Sequence, residues 1–225
     1  MQTVFVIDTA MDACQIGLFG CKDGSVYAID VLSERMARGH QEFIGPAVLQ
    51  CFGKNGIDPR DVSVFGVTLG PGSFTGLRVG LSYAKGLAVG TGARLRGFST
   101  LELIGRAARF ADQPRLVAHD AGRGQVYVQY LSHDNRADAP VSYDIEQIDQ
   151  IDVAETPAFV IGSGATLLSA RFPQSKIVLD SLPDLSAMAA LCLAETTAYD
   201  DLTPLYMRDA DAKVSDKAII KFPQI

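Results

Sequence analysis

The stretch LGPGSFTG, Leu69 to Gly76, holds the strongest hint of chemistry in this sequence. It follows an apolar strand signal, Val62 to Leu69, and precedes a helical one. At such a junction free backbone N–H groups and the helix dipole both favour an anion. Gly70, Gly72 and Ser73 are therefore candidate phosphate contacts. The fit to known cradles is poor. A Walker A loop ends in GK[ST], whereas Gly76 is followed by Leu77 and Arg78. Gly70, Gly72 and Gly76 give GxGxxxG, one residue too long for a dinucleotide fingerprint.

Two carboxylates, Asp8 and Asp120, end strand-like segments half the chain length apart. Asp8 could hold a divalent cation through water beside a nucleotide, making it a fourth candidate contact. Yet the turn that follows, TAMDA, lacks the glycines that would admit a triphosphate to the backbone. The three histidines, His40, His119 and His133, form neither HExxH nor HxxxH. No GxSxG elbow occurs, and no cysteine stands beside a histidine. The residues thus give a catalyst little support.

The elements that position these groups read as a repeated unit. VFVID, Cys14 to Gly20 and Ser25 to Leu32 form a three-stranded meander. A helix is expected over His40 to Phe52, with Pro46 near its first turn and Gly53 as its stop. After the glycine helix, Ser99 and Glu102 form a capping box ahead of an apolar stripe at Leu101, Ile104, Ala108 and Ala111. RLVAHDAGRGQVYVQYLSHDNRADAPVSYDI then repeats the opening meander, followed by a strand at Ala158 to Ile161 and a GSGA turn. An alanine-rich helix, Leu185 to Thr196, and an irregular tail close the chain. The expectation is an α/β fold of two tandem lobes, residues 1–98 and a reduced 99–225.

The helix after the loop is costly, because each interior glycine loses about 1 kcal/mol against alanine. Gly76, Gly80, Ala84 and Ala88 recur every four residues and form one ridge. With Leu77, Leu81 and Leu87 turned to the protein's own sheet, that ridge is expected to let a second helix approach closely. The second helix is His40 to Phe52, and the pair is expected to show its outer faces to another subunit.

Bulk properties set wider bounds. The chain has 225 residues, 48% of them hydrophobic, and a net charge of −6. Met1 to Ala10 has no basic region, so a signal peptide is not expected, and no apolar run is long enough to cross a bilayer. Cys14, Cys21, Cys51 and Cys192 lack CxxC spacing and read as reduced, mostly buried thiols of a cytoplasmic protein. Between Arg78 and Arg123, eight basic residues face three acidic ones. RNA contact through that segment is weighed against simple solvation of a helix, and solvation is favoured.

GPGSFTGLRVGLSYAKGLA closely resembles the signature of the bacterial TsaB family, also called YeaZ. VIDTAMDACQIGL, GHQEFIGPAVLQ, FSTLE, HDAGRGQVYVQ and LYMR resemble further family segments. Two departures stand out: Ala10 replaces a serine, and GSGA stands where GDGA is frequent. The resemblance implies an actin/hexokinase-like (ASKHA) fold of two ribonuclease-H-like lobes. It implies an accessory, non-catalytic subunit in synthesis of threonylcarbamoyladenosine at adenosine 37 of ANN-decoding tRNAs.

In that family the partners are TsaD, which carries the metal-binding histidines and the transferase chemistry, and the small ATPase TsaE. TsaC supplies the threonylcarbamoyl-adenylate. ATP and metal then belong to partner subunits, with no cofactor held by this chain alone. The chain would form a homodimer when TsaD is absent, and its own contact with tRNA would be indirect or weak. Carried over, the interface uses His40, Phe43, Ile44, Ala47, Val48 and Cys51 of the first helix. From the second helix it uses Phe74, Thr75, Gly76 and Arg78, then Val79, Gly80, Tyr83 and Ala84. An autonomous actin-like ATPase or kinase, built on Asp8, Asp120 and the glycine loop, is the alternative.

Overall fold

Strand β1 (Gln2–Asp8) is buried along nearly its whole length because it runs through the middle of a sheet and is covered on both faces. It pairs antiparallel with β2 (Ala13–Lys22), which pairs antiparallel with β3 (Ser25–Arg35). Helix α1 (His40–Asn55) crosses one face, and β4 (Val64–Gly70) then returns parallel to β1. Helix α2 (Phe74–Thr91) follows, and β5 (Arg94–Ser99) pairs parallel with β4. The strand order is β3-β2-β1-β4-β5. The computed structural model describes residues 2–110, 112–179, 182–194 and 202–207.

After the short helix α3 (Thr100–Gly105) the arrangement recurs. β6 (Arg115–Gly122), β7 (Gln125–Leu131) and β8 (Val141–Asp144) form the second meander. β9 (Phe159–Ile161) pairs parallel with β6, and β10 (Lys176–Val178) parallel with β9. The order β8-β7-β6-β9-β10 reproduces that of the first sheet strand for strand. The fold is α/β, two ribonuclease-H-like sheets in tandem, as in actin-like proteins.

Local boundaries differ from the sequence reading in three places. Helix α1 passes through Gly53 and ends at Gly56, whose φ of 62° supplies the left-handed cap, and Pro46 lies inside it rather than in the first turn. Helix α3 stops at Gly105, so no continuous stripe reaches Ala108, and Ala111 lies outside the described residues. Ser99 does cap α3, accepting from Glu102 N at 3.4 Å, but the Glu102 carboxylate turns to Arg106 at 2.7 Å.

The last elements do not join the second lobe. Helix α4 (Leu185–Leu193) packs Leu185, Met188, Ala189 and Cys192 against Val4, Val6, Phe19 and Val64 of the first sheet. Leu202 and Leu205 also pack on the core of the first lobe. Assigning everything after residue 99 to the second lobe is therefore corrected for residues 185–193 and for Leu202, Leu205 and Tyr206. The chain crosses back because the first sheet has two faces to cover, and α1 and α2 together cover one. Thr197 to Asp201 and the residues after 207 lie outside the described residues, as do Glu195 and Thr196 of the expected alanine-rich helix.

Candidate functional site

The glycine loop is shut by the protein's own backbone. The turn after β1 lies against the start of α2, so that Ser73 N donates to Ala10 O at 2.7 Å and Thr9 Oγ1 donates to Gly76 O at 2.7 Å. A Cβ on Gly72 would overlap Ala10 O, one on Gly76 would overlap Thr9 O, and one on Gly80 would overlap Thr9 Oγ1. Ser73 caps the helix, accepting from Gly76 N at 3.2 Å. Gly70, at φ 111°, packs against Leu77 and the Leu205 carbonyl. Of the expected phosphate contacts Asp8, Gly70, Gly72 and Ser73, the Ser73 N–H is thus spent on the Ala10 carbonyl, and that same carbonyl packs against Gly72.

Asp8 itself is fully buried. Its Oδ1 accepts from Ala10 N at 3.0 Å and from Thr68 Oγ1 at 2.8 Å. Its Oδ2 is buried with no hydrogen-bond partner among the described residues. Burial pushes the carboxyl up to about 6, against the lowering effects of Ala10, Thr68 and His40. Asp120, its counterpart in the second lobe, is exposed. Beside it, Ser163 Oγ lies 3.0 Å from His119 Nδ1 and accepts from Asp120 N at 3.1 Å. Burial lowers the pKa of His119. Gly162 meets Ala118 O as Gly72 meets Ala10 O, so both lobes use one packing device. Among the described residues no group of three or more His, Cys, Asp or Glu is placed to hold a metal.

The small-residue ridge points inward, which corrects the sequence reading. Gly76, Gly80 and Ala84 lie on the same face of α2 as Leu77 and Leu81, all five buried against the protein's own sheet and loop. Thr9, in the turn after β1, comes so close that no side chain fits at Gly76 or Gly80. His40, Ile44, Ala47, Val48 and Cys51 of α1 are likewise buried in the folded chain, so these residues offer no side chain to another molecule. Of the expected interface, Phe43, Phe74, Thr75, Arg78, Val79 and Tyr83 keep exposed or half-exposed side chains.

A second set of residues, missed in the sequence, lines the outer faces. Leu49 is 75% exposed on α1 and Val89 86% exposed on α2. Gly45 and Gly53 of α1, and Gly86 and Gly90 of α2, have open space where a Cβ would stand. The spacing signal was available, since Gly45, Leu49 and Gly53 recur every four residues, as do Ser82, Gly86 and Gly90. At the N-terminal end of α2, Phe74 stacks on Tyr206 with ring centroids 5.0 Å apart, and Arg78 bridges the two.

This arrangement has close relatives. A family model described as "TsaD: tRNA N6-adenosine threonylcarbamoyltransferase" matches residues 30–178. The chain is 30% identical to the tRNA threonylcarbamoyladenosine biosynthesis protein TsaB of Escherichia coli, over 92% of this chain and 94% of that protein. The chain belongs to the TsaB family. A TsaB of Haemophilus influenzae is 26% identical over 92% of this chain and 94% of its own length. The solved structure titled "YeaZ from Pseudomonas aeruginosa" superposes with a TM-score of 0.73 at 22% identity, covering 92% of this chain and all of that one. YeaZ, the other name for the TsaB family, thus shares the whole two-lobed fold. Among the described residues no helix is long and apolar enough to cross a membrane.

Proposed function

We propose that this chain is an accessory subunit in the synthesis of threonylcarbamoyladenosine in tRNA, acting as a docking platform for the catalytic subunit TsaD. The observation that carries the reading is the outer surface of α1 and α2. Both helices lie on one face of the first sheet. They turn outward two large apolar side chains, Leu49 and Val89, together with four glycines that the described fold does not need. Exposed glycines inside helices cost stability, about 1 kcal/mol each, with no return in the isolated chain. A partner backbone approaching closely supplies the return, with apolar burial as the driving force.

The relatives' printed names support the pathway, and the closed glycine loop supports an accessory role over the ATPase or kinase alternative. The sequence also lacks the HxxxH pattern expected of TsaD. On this reading ATP and metal belong to TsaD and TsaE, and the same face pairs two copies of this chain when TsaD is absent. Leu49→Asp and Val89→Asp, mixed with TsaD from the same organism, test it by size-exclusion chromatography with light scattering. Folded variants that no longer form the complex are expected. A complex of undiminished stoichiometry and affinity would overturn the reading.

A further inference from the structure

Arg78 is exposed on α2, yet its side chain is held rather than free. Its guanidinium carbon lies 3.8 Å from the Phe74 ring centroid and 5.8 Å from that of Tyr206. Arg78 Nε donates to the Tyr206 hydroxyl at 2.9 Å. Tyr206 in turn is placed by a pinned segment, residues 202–207. Leu205 N donates to Leu69 O at 2.6 Å, and the Leu202 and Leu205 side chains pack on the core. Holding a guanidinium this way removes side-chain entropy before any partner arrives.

Among the described residues only one of the five N–H donors of Arg78 finds an acceptor. Among the described residues no Asp or Glu pairs with it, so both terminal nitrogens stand without an acid. The rings beside it are substantially open, Phe74 at 39% and Tyr206 at 43%. A planar fork matches a carboxylate bidentately. Phenylalanine, tyrosine and arginine together on one surface have the composition of a protein-binding anchor. A nucleic-acid backbone calls instead for several cations, and the next basic residue on α2 is Lys85, about two turns away.

We infer that Arg78, positioned by Phe74 and Tyr206, is the anchor that receives an Asp or Glu carboxylate from the protein docking on α2. The inference rests on the docking face proposed above and specifies what the partner must present there. The C-terminal segment thereby becomes part of the interface, because it holds the arginine ready.

The test measures the affinity of the full chain for TsaD at low and high salt by calorimetry, with three variants at the anchor and Leu49→Asp on the outer face. Arg78→Gln is expected to weaken binding at least tenfold and flatten its salt dependence. Arg78→Lys is expected to restore little, because an ammonium has no fork, and Tyr206→Phe to fall between wild type and Arg78→Gln. All should keep the wild-type thermal midpoint, since Arg78 is exposed. If Leu49→Asp abolishes binding while Arg78→Gln binds as wild type, the face stands and the anchor is overturned. If Leu49→Asp binds as wild type, the docking face itself falls. If Arg78→Gln spares TsaD binding and weakens tRNA binding by the complex, the arginine serves phosphate and the inference is also overturned.

Discussion

Thr9 and Gly76 are fastened to each other in both directions. The Thr9 hydroxyl donates to the Gly76 carbonyl at 2.7 Å, and the Thr9 carbonyl oxygen occupies the place where a Gly76 side chain would begin. This contact explains why the helix tolerates glycine at its buried start. The first turn of α2 is clamped against the end of β1, and only a bare Cα fits.

Two alanine substitutions on the same helix should therefore move stability in opposite directions. Gly76→Ala must displace backbone and is expected to cost about 3 kcal/mol or more. Gly86→Ala meets open space and is expected to add about 0.5–1 kcal/mol through helix propensity. Urea denaturation of both variants reads the difference, and equal costs would refute the assignment of inner and outer faces.

Asp8 should make stability fall as pH rises. Its folded-state pKa, about 6, lies above the ordinary value of 3.8, so the native state holds the proton more tightly than the unfolded chain. Stability from this group is full below about pH 4 and is lost progressively between about 4 and 6. The loss at neutral pH is on the order of 3 kcal/mol for a shift of this size. Asp8→Asn keeps the oxygen that meets Ala10 and Thr68 while removing the charge. Its thermal midpoint, minus that of wild type, should rise from pH 4 to pH 7 and then level off. A difference independent of pH would show that Asp8 titrates normally.

Arg115 is a buried cation held by carbonyls rather than by an acid. It donates to Gly105 O at 2.6 Å, to Gln113 O at 2.8 Å, to Ser132 O at 3.2 Å and to the Asn135 side chain. Burial lowers its pKa to about 10, which still leaves it charged at neutral pH. Arg115→Met strands several buried acceptors at about 1–3 kcal/mol each. A loss above about 3 kcal/mol is expected in chemical denaturation, with Arg115→Lys recovering only part of it. A Met variant as stable as wild type would mean that these bonds contribute nothing net.

The duplication was legible because each lobe opens with the same order of signals. Val4 to Asp8 and Leu116 to Asp120 are apolar runs ending in aspartate, each followed by an antiparallel partner and a turn. Period-two patterning specifies such meanders locally. The glycine helix was harder, because periodicity fixes which residues share a face but not which face turns inward. Gly76 and Gly80 share an arc with Leu77 and Leu81, and the burial of those leucines carries the glycines in with them. Gly86 and Gly90 stand on the opposite arc.

Other features depended on distant parts of the chain. Helix α4 reads as an ordinary apolar helix, and nothing in its own residues says that it covers Val4 and Val64 rather than the nearer second sheet. Tyr206 meets Phe74 and Arg78 from far along the sequence, so no local spacing announces the cluster. Three of the eight basic residues between Arg78 and Arg123 are held within the fold. Arg96 reaches the carbonyls of Cys192 and Ala194, Arg106 pairs with Glu102, and Arg115 is buried.

The most direct measurement uses Gly86→Gln, placed where the described fold leaves open space and a partner helix would lie. The account depends on the outward side of α2 being kept bare at a cost to the free chain, for the sake of a neighbour. It predicts that the variant melts at a higher temperature than wild type and binds TsaD at least tenfold more weakly. A variant that binds with wild-type affinity would contradict it.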